Sequence, residues 1–127
     1  MTTDRFKFRV YLPDENRYLH NTDCPIIDHD GKLNWCYLNP FGHWEHHPMD
    51  NAVIEQCTGL TDKNGKLIFE GDILRFSTQF NVCVNFRSGG FVYSLYEDER
   101  LAYYLTEIIS KSTQIIGNIH EMESKND

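Results

Sequence analysis

The sequence contains no apolar run approaching the roughly 18 to 20 residues that a helix needs to cross a bilayer. Charges are spread through residues 1–20, where a secretory leader would need an uninterrupted apolar stretch. Both absences argue for a soluble, cytoplasmic protein with no membrane partner. Cysteine is sparse: Cys24, Cys36, Cys57 and Cys83 are widely separated and include no Cys-x-x-Cys pair, so reduced thiols are expected instead of a disulfide framework. Basic residues are short as well. Twelve Lys/Arg stand against nineteen Asp/Glu for a net charge of −7, an envelope that repels phosphate and disfavours general nucleic-acid binding. The last thirty-one residues, 97–127, are the most acidic, with three Lys/Arg against seven Asp/Glu.

What is present is a folded β protein. A chain of 127 residues that is 40% hydrophobic and 13% aromatic has the size and composition of a single compact domain, 1–127. The block Cys57 to Leu74 carries the densest signal. Asn64-Gly65 offers two residues tolerant of positive φ, as a tight hairpin needs, and Gly71 within Glu70-Gly71-Asp72 makes a second corner. Short strands are read at Phe6 to Tyr11, Arg17 to His20, Lys32 to Leu38, Ile73 to Phe76, Val82 to Phe86, Phe91 to Tyr96 and Thr113 to Ile119. Gly89 and Gly90 reverse the chain between two of these, and Gly117 is counted with the turn residues. Leu101, Tyr104, Leu105 and Ile108 fall at helical spacing and predict a helix over Glu99 to Ser110, with Asp98 as its N-cap.

Five or more short strands with glycine corners predict a mainly β protein with one short C-terminal helix. Residues 57–120 would form a small, partly open barrel like that of SH3 domains, because small sheets escape open edges by curling. Residues 1–50 would add a β layer, and the tail 122–127 would fray.

The central block resembles the hallmark of the YopX family. Lys7-Phe8-Arg9-Val10-Tyr11 with Asp14-Glu15-Asn16-Arg17-Tyr18 is similar to the family's opening, and Ile115-Ile116-Gly117-Asn118-Ile119-His120-Glu121 to its close, so the likeness runs nearly end to end. The resemblance implies a small phage or prophage protein of unknown function, acting inside the bacterial host. It brings no activity, cofactor or catalytic residue.

Chemistry-bearing residues are few. Cys36, His43, His46 and His47, with Cys24 upstream, are zinc-type donors, but their spacing matches no zinc motif, and Pro40 and Pro48 bracket the stretch and argue for a loop. Asp62, Glu70 and Asp72 flank turns, where carboxylates shape corners. No nucleophile sits beside a base in a recognisable motif. Arg5, Lys7 and Arg9 read as the solvated face of a strand. The expected function is a non-enzymatic interaction or self-assembly module with an unidentified protein partner, homo-oligomeric and without a cofactor, using strand edges and the aromatic loop Phe41 to Trp44. The alternatives are a single-strand nucleic-acid binder stacking bases on Tyr93, Tyr96, Tyr103 and Tyr104, and a metal-dependent hydrolase.

Overall fold

The computed structural model describes residues 6–19, 25–76, 80–95 and 98–121; Arg5, Cys24, Tyr96 and the tail 122–127 lie outside them. The chain is mainly β, with a curled half-barrel sheet and two short helical segments. It divides into two compact units, one comprising Met1–Phe8 with Glu55–Asp127 and the other Arg9–Ile54.

The larger unit is built on a five-stranded antiparallel sheet, β11-β10-β9-β8-β12. Strands β8 (Asp72–Phe76), β9 (Asn81–Arg87), β10 (Gly90–Leu95) and β11 (Asp98–Tyr104) follow one another as a meander, and β12 (Thr113–Asn118) returns to pair with β8. A separate ladder joins β6 (Val53–Thr61) to β7 (Leu67–Phe69). Strand alternation sends Leu74, Val82 and Val84 to one face, where they close on Ile68 and Leu105, with Phe76, Phe91, Tyr93 and Ile115 packed around them. At about 25 cal/mol per Å² of apolar surface removed from water, burial of this cluster stabilises the unit.

The smaller unit pairs β1 (Phe8–Leu12) with β2 (Arg17–Tyr18) across the turn at residues 13–16. Its second element is a three-stranded sheet of β3 (Pro25–Ile27), β4 (Leu33–Leu38) and β5 (Trp44–Pro48). Arg9 stands 4.8 Å over the Tyr18 ring, and Tyr11 meets the same ring edge-on at 5.1 Å.

Three hairpin loops share one hydrogen-bond pattern. In Asp28–Lys32, Asn39–His43 and Asp62–Lys66 the first side chain accepts the N–H groups of the third and fifth residues. The first backbone N–H donates to the fifth carbonyl, and the fourth residue, a glycine at φ of 79° to 82°, donates back to the first carbonyl. The central turn is therefore a five-residue loop instead of the expected two-residue turn at Asn64-Gly65. Only Gly65 takes a positive φ; Asn64 donates its N–H to Asp62.

Two further readings are corrected. Residues 98–104 form a strand instead of a helix, since pairing with the open side of β10 satisfies the backbone and sets Tyr103 against Tyr93, 5.7 Å between ring centres. The helical stripe would have needed burial, yet Leu101, Tyr104 and Ile108 are all at least 60% exposed. The helix α1 covers only Glu107–Lys111 and is capped by Thr106, while Asp98 binds Arg100. The stretch bracketed by Pro40 and Pro48 is largely strand. Pro40 is the second residue of its loop, a position that suits its fixed φ, and Pro48 ends an outer strand where its missing N–H breaks no ladder bond.

Asp62 is 3% exposed. One oxygen takes the N–H groups of Asn64 and Lys66 and the other takes that of Ile115, fifty-three residues away. Burial alone would push its ionisation up, but the three backbone donors and nearby Lys66 outweigh it and hold the carboxyl below its ordinary value of 3.8. Because the folded value is the depressed one, the stabilisation is complete above that ordinary value and is lost as pH falls through the lowered one. Asp62→Ala is expected to cost about 3 kcal/mol in urea unfolding at pH 7, and the gap between variant and parent should narrow as the titration is repeated at successively lower pH below 3.8. Asp28→Ala, in the exposed version of the same loop, should move the midpoint far less.

Candidate interaction surface

In the smaller unit, alternation along β4 and β5 decides which side chains meet. Cys36 lies opposite His46, and Sγ to Nδ1 is 3.1 Å. Tyr37 and His47 occupy the other face, with rings stacked at 5.3 Å and His47 Nε2 3.2 Å from the Tyr37 hydroxyl. That hydroxyl donates to Glu45, whose carboxylate holds the phenol above its ordinary value. His43 ends the Asn39 loop, its N–H on Asn39. The four zinc-type residues are thus distributed over two faces and a loop, and only Cys36 and His46 are brought together. Among the described residues no group of three His, Cys, Asp or Glu side chains is placed to hold a metal ion.

The same sheet exposes large side chains. Phe41 is 84% and Trp44 65% exposed, and Trp35, Tyr37 and Leu38 lie between 42% and 56%. Leu38 and Trp44 are cross-strand partners. Trp44 lies on β5, the outer strand of its sheet, so backbone groups without a ladder partner there run beside apolar side chains.

The larger unit contains an apolar cavity of about 410 Å³. Val82 and Phe76 line it, Tyr93 and Tyr103 stand together in it, and Phe80 and Leu101 lie at its exposed rim. Of the tyrosines read as a stacking platform, these two meet; Tyr104 follows Tyr103 in the strand and points to the opposite face, over Gly90. Gly89 forms the two-residue turn between β9 and β10 with Ser88, both at positive φ. Gly90 pairs with Arg87 in the ladder.

The turn carboxylates contact backbone amides. Besides Asp62, Glu70 accepts from the N–H of Gln56 and Asp72 from that of Phe69. Sequence reasoning missed Glu55, which is 3% exposed and lies 2.9 Å from His120 Nε2. Its signal was a charged residue inside the alternating pattern of β6. The carboxylate rests against Gly71, whose φ of 90° and lack of a Cβ leave it room. Gly117 lies at the bulge in β12, its pairing shifted by the extra residue Ile116.

The profile of the YopX protein family matches residues 7–124. Among solved structures, protein EF1440 from Enterococcus faecalis is 26% identical, with 95% of this chain and 97% of that chain covered and a TM-score of 0.61. Protein yopX from Bacillus subtilis is similar at 16% identity, 92% and 94% coverage and a TM-score of 0.62. No curated protein matches the chain.

Gly71 and Glu55 give a coupled prediction. Gly71→Ala sets a Cβ against the Glu55 carboxylate in a backbone conformation that itself costs about 1–2 kcal/mol, and the sum should exceed that. In a Glu55→Ala background the clash is gone, and the cost of Gly71→Ala should fall back to about 1–2 kcal/mol in a double-mutant unfolding cycle.

Proposed function

We propose, from the premise that this chain belongs to the YopX family, that it is a phage or prophage accessory protein acting as a non-enzymatic interaction module that assembles through its own copies. The observation that carries the reading is the three-stranded sheet of the smaller unit. On one face Leu38 and Trp44 are exposed cross-strand partners, with Phe41 exposed in the loop that joins their strands, while Trp35 and Tyr37 are exposed on the other face, and apolar surface beside a strand edge is the usual mark of an interface. Aromatic side chains dominate the binding energy where they are buried at the centre of such a contact. A second copy is the occupant named because the patch is formed by a sheet with open outer strands, and two such edges can pair about a twofold axis.

Light scattering during size-exclusion chromatography provides the test. The wild-type protein is expected as a single oligomer at micromolar concentration, and Phe41→Ser with Trp44→Ser as a monomer with an unchanged circular dichroism spectrum. A wild-type chain that stays monomeric at high concentration overturns the assembly reading.

A further inference from the structure

Four neighbouring strands wall the cavity of the larger unit. Phe76 comes from β8, Val82 from β9, Tyr93 and Leu95 from β10, and Leu101 and Tyr103 from β11. Strand alternation sets these side chains on one face of the sheet, and the space they bound is about 410 Å³. Packed interiors leave few voids larger than a water molecule, whereas small-molecule sites have this size and this mostly apolar lining. Phe80, Leu101 and Tyr103 at the rim are each more than half exposed, so the space opens to solvent between large apolar side chains.

The lining selects the occupant. Among the described residues that form it, the one charged side chain is Asp98, whose carboxylate is already held by Arg100 through two contacts of 2.9 Å. An ionised ligand would enter an apolar space that has no free countercharge, and its lost hydration would go unrepaid. The occupant is therefore neutral. Its shape follows from the rings already there. Tyr93 lies 5.8 Å from Phe76 and 5.7 Å from Tyr103, between ring centres, in tilted pairs at separations where aromatic rings attract one another beyond their buried area. A planar ring entering among them gains the same attraction, and a saturated one of equal size does not. Among the described residues the hydroxyls of Tyr93 and Tyr103 form no hydrogen bond, which leaves two donors for an acceptor on the ligand. We propose that this cavity binds a neutral, planar aromatic small molecule that carries a hydrogen-bond acceptor, with its rings against Tyr93 and Tyr103 and the acceptor on one of their hydroxyls. The site is separate from the apolar sheet of the smaller unit and does not depend on self-assembly.

The test is an amide NMR titration of the full chain at neutral pH with three probes of one carbon skeleton. 2-Naphthol is planar and neutral, decahydro-2-naphthol is neutral and saturated, and 2-naphthoate is planar and ionised. 2-Naphthol is expected to bind saturably and to shift the amides of Val82, Leu95, Leu101 and Tyr103. The saturated alcohol and the carboxylate should each bind at least about tenfold more weakly. Leu101→Asp, which sets a charge at the exposed rim, should weaken 2-naphthol by a similar factor, and Tyr93→Phe combined with Tyr103→Phe should weaken it with both rings kept. The Phe41→Ser, Trp44→Ser variant should bind as the wild type does. If a cavity variant fails to fold, the comparison of the three probes on the unaltered protein decides. The proposal is overturned by the absence of saturable shifts at those amides, by equal or tighter binding of the saturated alcohol, by equal binding of the carboxylate, or by full binding to Leu101→Asp.

Discussion

One buried carboxylate ties the central hairpin to the last strand. Asp62 closes its own loop with one oxygen and holds the N–H of Ile115 with the other, while Lys63 donates its N–H to the carbonyl of Thr113. These bonds bridge two ladders that strand pairing alone does not connect, the β6–β7 hairpin and the β12 edge of the five-stranded sheet. A buried anion is costly unless donors surround it, and backbone amides are donors that cannot swing away. The arrangement therefore rewards only one placement of the hairpin, and the core residues Ile68 and Leu74 meet as a consequence of it.

The loop that carries Asp62 is a repeated device. Asp28 and Asn39 build the same five residues, each with glycine fourth. A side-chain acceptor at the first position satisfies two amides that a tight reversal leaves unpaired, and the glycine absorbs the left-handed step that a side chain would oppose. Two of the three loops sit in exposed hairpins of the smaller unit, where the second oxygen of Asp28 reaches only to Asn34, six residues away. In the third the first residue is buried, and its second oxygen accepts the N–H of Ile115, fifty-three residues away.

Much of the strand content was legible because alternation and glycine corners are local signals. The opening strand, β4, the β9–β10 hairpin and the final strand all fall within a few residues of their expected places. Where reading failed, tertiary contacts overrode a local pattern. The Leu101, Tyr104, Leu105, Ile108 spacing is genuine helical periodicity, but an available sheet edge and the Tyr93–Tyr103 contact outcompete it. The histidine segment reads as loop from its prolines, yet both prolines occupy places a hairpin tolerates. The shared loop pattern, Asp or Asn three residues before Gly, stood in the string three times. The convergence of Tyr103 with Phe76 and Phe80 did not, since it depends on how the sheet curls.

The chain leaves the larger unit after Phe8 and re-enters it at Glu55, and the amide of Cys57 donates to the carbonyl of Lys7 at 2.9 Å. Exit and return are thus a single bond apart. To the curled sheet, the whole of Arg9–Ile54 is one long excursion leaving and returning through the same doorway. An insertion whose two ends meet leaves the strands around it undisturbed, which is why neighbouring ends make such insertions tolerable.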